Sequence, residues 1–164
     1  MEFKKKIGIQ ASTDRVWQVV AHEFDSVGTW SSAIASSAAN HDVAVPEGAT
    51  VGGRVCATSG FGEIEETFTK YSESNKQFTF AITGMPLFIS LAQKTIRVRP
   101  TGAQFAEVSM HIQMETTAVG KVIGPVFTIK LKATLNTFLE ELKNFVENEE
   151  ISSKKRKQLS RAAA

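Results

Sequence analysis

Between residues 104 and 116 the chain alternates strictly. Ala106, Val108, Met110, Ile112 and Met114 fall on one side of an extended segment, and Glu107, Ser109, His111, Gln113 and Glu115 on the other. This predicts a strand with one buried face. The period then changes. From Pro125 to about Glu150, Phe127, Leu131, Leu135, Phe138, Leu142 and Phe145 recur in steps of four and three, and Ile129, Leu139 and Val146 widen the stripe. Lys130, Lys132, Asn136, Glu140, Lys143 and Glu147 occupy the other side, so the segment predicts an amphipathic helix. Pro125 suits a first helical turn, where its missing N–H has no intrahelical partner, and Gly124 serves as the cap. Such a rod, roughly 39 Å long at 1.5 Å per residue, needs a sheet to cover its apolar side.

The rest of the chain supplies one. Phe3, Ile7 and Ile9 mark a strand over 2–10. Ser12 or Thr13 caps a short helix over about 13–22 carrying Val16, Trp17 and Val20, and a second helical turn covers Ser26 to Ser32. Ile34 opens a weak strand, and 40–48 reads as an excursion. Gly52-Gly53 begins a run to Ser59, and Gly60-Phe61-Gly62 breaks it before Glu63 to Tyr71, which makes a hairpin. Further strands follow over 77–84 and 91–99, the latter turned by Pro100-Thr101-Gly102. Hairpin connections imply an antiparallel sheet, and long twisted strands curl. The expected fold is therefore α+β: a curved antiparallel sheet of about six to seven strands around a long C-terminal helix, with two short helices after the first strand. Where a curled sheet and a straight helix diverge, a pocket is expected.

Charge alters this picture little. The 164 residues carry a formal net charge of +2, but Lys154, Lys155, Arg156, Lys157 and Arg161 are all positive, and removing those five leaves residues 1–153 at −3. A mildly acidic body gives no electrostatic footprint for nucleic acid. The division expected is one domain over 1–151 and a solvated, disordered basic tail over 152–164. That tail also has the composition of a nuclear-import signal or an anionic-membrane contact. One cysteine, Cys56, allows no internal disulfide and fits a reducing compartment. Lys4-Lys5-Lys6 is not followed by an apolar segment of signal-peptide length, and Met85 to Ala92 is too short to span a bilayer. The expectation is a cytoplasmic protein without stable membrane insertion, its oligomeric state left open.

Five features in order, Ile9-Gln10-Ala11-Ser12 with Asp14-Arg15-Val16-Trp17, Val27 with Trp30, Gly52-Gly53-Arg54, Ile64-Glu65-Glu66 running to Tyr71, and Ile82-Thr83-Gly84-Met85-Pro86, give residues 3–150 a family likeness. The chain resembles the SRPBCC superfamily, the START-like or helix-grip fold, and within it the polyketide cyclase/dehydrase group. The resemblance implies a cavity under the long helix that takes a hydrophobic or polyaromatic small molecule. Members include cyclases, lipid carriers and hormone receptors, so the likeness leaves the chemistry open.

Glu66 is the leading candidate for chemistry, because Ile64 and Phe68 place it on the apolar strand face. If the hairpin is centred on Gly60, Arg54 faces it; a turn centred half a residue later sets Val55 there instead. Two readings stay open, a structural ion pair at the cavity rim and a ligand-contacting or catalytic carboxylate. Tyr71, by strict alternation, falls on the opposite face from Glu66. The residues expected to line the ligand site are Trp30, Phe68, Phe80, Ile82, Met85, Leu87, Met110, Ile112, Phe127 and Leu131, although Trp30 reads more readily as packing than as a ligand contact, and the 85–88 loop reads equally as lid or plug. His22, His41, His111 and Cys56 have no metal-ligand spacing, no serine lies in a nucleophile elbow, and Gly120-Lys121 fails the phosphate-loop pattern at Glu115 and Val122. No metal and no cofactor are expected. The leading function is binding or transport of a small hydrophobic molecule. The alternatives are a cyclase or dehydratase using Glu66 as general acid/base with Arg54 or Tyr71, and an adaptor docking through its greasy loop or basic tail.

Overall fold

The computed structural model describes residues 1–60 and 62–163, the side chains of 118–126 excepted. Phe61, in the expected hairpin break, and the side chain of Pro125 lie outside the described residues. The elements are β1 (Glu2–Ile9), α1 (Thr13–Trp17) continuing as a π-helical turn (Gln18–His22), a 3-10 helix (Phe24–Thr29), β2 (Ile34–Ala39), β3 (Gly53–Thr58), β4 (Gly62–Ser72), β5 (Gln77–Thr83), β6 (Ile89–Gly102), β7 (Phe105–Thr116), α2 (Ala118–Asn148) and α3 (Ser153–Ala162). All neighbouring strands are antiparallel in one seven-stranded sheet, ordered β1-β7-β6-β5-β4-β3-β2. The helix-grip arrangement expected from the sequence is thus the one found. Among the described residues no helix is long and apolar enough to cross a membrane.

The inner face of the sheet is built by alternation. Ala106, Val108, Met110, Ile112 and Met114 of β7 are all buried, as the pattern requires. Against this face α2 lays Phe127, Leu131, Leu135, Phe138, Leu139, Leu142 and Val146. Its end is tied to β1, where Lys143 Nζ donates to the Gly8 carbonyl over 2.9 Å and the Gln10 N–H donates to the Glu147 carboxylate over 2.6 Å. The other half of the concave face is filled by rings. Phe24 sits 4.4 Å from Phe68 and 5.3 Å from Phe80, and Trp17 sits 5.6 Å from Phe78, so α1 and the 3-10 helix close that end with aromatic packing.

Four details differ from the sequence reading. The long helix starts at Ala118, with Thr117 at the N-cap position but making no side-chain capping bond, and so runs through Pro125; proline favours a first turn without requiring one. Ile129 does not widen the apolar stripe and is 70% exposed. Pro100 continues β6 opposite Ala106 in place of turning it, and the turn falls at Ala103 and Gln104. Val98, on the same side of the strand, donates to Lys76, just before β5 begins at Gln77, so proline's missing N–H points where no strand runs. Finally, the basic segment is a helix, not a disordered tail. Ser152 caps α3, and buried Lys155 donates to the carbonyls of Ile34 over 2.7 Å and Ala35 over 3.1 Å. Ser152 Oγ also donates to Glu141, whose other oxygen accepts the Ser32 N–H over 2.8 Å, so one buried carboxylate of α2 fastens both α3 and the loop before β2.

Candidate functional site

Strands β3 and β4 approach closely at Gly53, where a Cβ would lie 2.5 Å from the Glu66 carbonyl oxygen. This sets Arg54 directly opposite Glu66, the register of a hairpin centred on Gly60. The two side chains are each 6% exposed and form an ion pair through Arg54 Nε and Glu66 Oε2. Arg54 Nη1 donates to the Phe24 carbonyl, and the guanidinium carbon lies 3.8 Å from the centre of the Phe24 ring. Arg54 is thereby satisfied on three sides, by a carboxylate, a carbonyl and an aromatic face. Cys56 Sγ is 3.9 Å from Glu66 Oε2. Burial pushes its thiol up to about 11 despite Arg54, so it remains a protonated, unreactive core side chain.

A third charge joins this pair from β6. Ala92, Lys94, Ile96 and Val98 point inward, and Lys94 is 6% exposed between Phe80 of β5 and Ile112 of β7. Its Nζ lies 4.1 Å from the centre of the Phe138 ring and 5.8 Å from that of Phe80. Among the described residues it has no hydrogen-bond or ion-pair partner. Burial pushes the ammonium down to about 8, against the attraction of Glu66 across β5.

These groups border a cavity of about 550 Å³ between the sheet and α2. Its wall is mostly apolar, with Ile34, Ile64, Ile82, Met85, Ile112, Met114, Leu131, Leu135 and Phe138, interrupted by Arg54, Glu66 and Lys94. Exposed Lys130, Thr134 and Lys154 mark the mouth. A second hollow of about 430 Å³ lies beside Met1, Glu2, Gln93, Gln113 and Glu115, residues of the opposite sheet face, and holds no buried charge. The inner cavity is therefore the candidate site. Among the described residues no three of His, Cys, Asp and Glu gather as a metal site.

The polyketide cyclase / dehydrase and lipid transport family matches residues 1–147. The chain belongs to this family. Three solved structures illustrate how widely the cyclase/dehydrase fold is shared. A START superfamily protein from Mycobacterium smegmatis superposes with a TM-score of 0.70 at 14% identity, over 88% of this chain and 96% of that one. Truncated norcoclaurine synthase from Thalictrum flavum gives 0.65 at 15%, over 90% and 94%. The di-domain ARO/CYC BexL from the BE-7585A biosynthetic pathway gives 0.67 at 15%, over 88% of this chain and 45% of that one. Identities this low establish the fold alone. Comparison with curated proteins returns no match.

Within this cyclase/dehydrase-family frame, Ile82, Met85, Ile112 and Leu131 line the cavity together with Arg54 and Glu66. Six other residues expected on the wall do not. Phe68 and Phe80 belong to the aromatic cluster under Phe24, and Met110 is buried beyond the lining. Phe127 packs edge-on to Phe88, with ring centres 5.4 Å apart. Trp30 is 2% exposed between Phe138 and Phe145, a packing position, although its Nε1 has no partner among the described residues. Leu87 is 98% exposed, so the 85–88 loop splits its side chains: Met85 inward, Phe88 onto Phe127, Leu87 into solvent.

Tyr71 also departs from expectation. A bulge between Phe68 and Lys70 adds a residue to β4 and returns Tyr71 to the inner face opposite Phe78. Its hydroxyl nevertheless works at the far end of the fold, donating to Glu73 over 2.9 Å beside Trp17 Nε1 at 2.8 Å and His22 Nε2 at 3.0 Å. Burial alone would raise Glu73, but the hydrogen bonds from Trp17, His22 and Tyr71 prevail and hold it at about 2. A lowered carboxylate pKa stabilises the fold above the ordinary value of 4.5, and that contribution is lost as pH falls toward 2. Glu73→Gln is therefore expected to cost about 1 kcal/mol at neutral pH, after discounting for solvent screening of a side chain 41% exposed, and nothing near pH 2. Melting curves across that range check it.

Proposed function

We propose that the protein binds or carries a small hydrophobic molecule in the cavity under α2. One observation carries this reading: the hollow of about 550 Å³ is walled mainly by aliphatic side chains, with few polar groups converging on it. That volume lies within the roughly 300–1,000 Å³ of small-molecule sites. Leu131 stands on the α2 side of the hollow. Leu131→Trp is expected to fill it and weaken binding of the neutral fluorophore Nile red about tenfold or more, with the fold retained in circular dichroism. Unchanged Nile red affinity in that variant would contradict the reading.

A second reading, a cyclase or dehydratase, is favoured by Glu66 facing the same cavity. Its carboxylate is engaged by Arg54 through Oε2, so a proton-transfer role requires a substrate that competes with the guanidinium or uses the second oxygen. Release of water or of a ring-closed product, lost in Glu66→Gln, would support it.

A further inference from the structure

We infer that the ligand is an amphiphile with a carboxylate head group, which docks on Lys94 while its hydrocarbon portion runs along the aliphatic wall. This rests on the binding reading above and names the class of molecule bound.

Lys94 is a buried cation on the cavity wall with no acceptor for its N–H groups among the described residues. The carboxylate that attracts it, Glu66, is already held by Arg54. Packing does not account for the charge, because an apolar side chain of similar length would fill the space against Phe138 and Phe80 at less cost. An unmet ammonium facing an apolar hollow is complementary to an anion that brings its own acceptor oxygens and few other polar groups. The remaining charges point the same way. The lining carries Arg54, Lys94, Lys130 and Lys154 against Glu66 alone among the described residues. With Arg54 and Glu66 cancelling, the excess is positive inside and at the mouth, and low-dielectric walls focus that field onto an entering anion.

The test uses Nile red as a neutral reporter near pH 7, displaced by decanoate or by 1-decanol, which share a chain and differ in the head group. Decanoate is expected to displace the dye at about tenfold lower concentration, the discrimination one charge-assisted hydrogen bond supplies. Lys94→Met should erase that preference, read as the ratio of the two displacing concentrations within the variant. Lys94→Gln provides the same comparison with a polar side chain. Equal displacement by the two chains in wild type would overturn the anchor and leave the cavity reading standing. A preference that survives in both variants would also overturn it and assign the selectivity to Lys130 and Lys154. Absence of any Nile red binding would overturn the cavity reading and the anchor together.

Discussion

Arg54→Met is expected to melt roughly 10 °C below the wild-type protein. The substitution keeps an apolar body against Phe24 but strips Glu66 of its Nε partner, leaving a carboxylate 6% exposed on an apolar wall. Breaking one member of a buried ion pair costs about 3–5 kcal/mol, since the survivor stays desolvated without compensation. For a chain of this size each kcal/mol corresponds to roughly 2–4 °C. The paired change Arg54→Met with Glu66→Leu removes both charges and should recover most of the loss, to within about 1–2 kcal/mol of wild type. Recovery would show that the loss in the single variant comes from the stranded charge. A single variant as stable as wild type would mean that Glu66 does not depend on Arg54.

Lys94→Met is expected to do the opposite and stabilise the fold. Burial lowers the ammonium from 10.5 to about 8, so at neutral pH the folded state holds a cation that the unfolded state solvates more easily. At 1.36 kcal/mol per unit this penalty is about 3 kcal/mol, and the cation–π contact with Phe138 at 4.1 Å offsets about 1–2 of it. The net gain is about 1–2 kcal/mol, a rise of roughly 2–8 °C in Tm. The sign follows from proton counting. Between pH 8 and 10.5 the unfolded chain binds more protons at this site, so wild-type stability rises with pH there and the Met variant's advantage shrinks, vanishing above about 10.5. The charged and titratable groups acting on Lys94 are Glu66 on β4 with Arg54 and Cys56 on β3. Chemical denaturation of both proteins at several pH values isolates Lys94 from the lysines that titrate in common. A destabilised variant at neutral pH would show that Lys94 serves the fold. A residue that costs stability while facing a ligand-sized hollow is what a binding role requires.

The fold was largely legible because its strongest signals are periodic. The alternation of 104–116 and the stripe from Phe127 to Val146 each identify a buried face without reference to the rest of the chain. The Arg54 and Glu66 pairing was legible up to one ambiguity, the centre of the hairpin, which Gly60 settles in favour of pairing. Tyr71 was misplaced because strict alternation cannot register a bulge, and one extra residue in β4 reverses every face that follows. Lys94 carries a signal of its own in the sequence: it interrupts the inward series Ala92, Ile96, Val98, where a charged residue has no business unless it is used or paired. The basic segment misled because charge density reads as solvation, whereas Lys155 and Ser152 find carbonyl and carboxylate partners only a folded domain can present.

Which inward residues border the cavity was the least legible feature. Phe68, Phe80 and Met110 share the inner face with Ile82 and Ile112. Whether a given position is covered by a ring of the 3-10 helix, by α2 or by nothing depends on sheet curvature and helix crossing, and residue spacing encodes neither.

Methyl-resolved NMR during titration with decanoate tests the cavity directly. The structure predicts shifts among the lining methyls of Ile34, Ile64, Ile82, Ile112, Leu131 and Leu135, while Val16, Val108 and Leu142 in the solid core stay unmoved. Saturating decanoate that leaves the lining methyls unperturbed, or moves core and lining alike, would contradict a preformed binding site under α2.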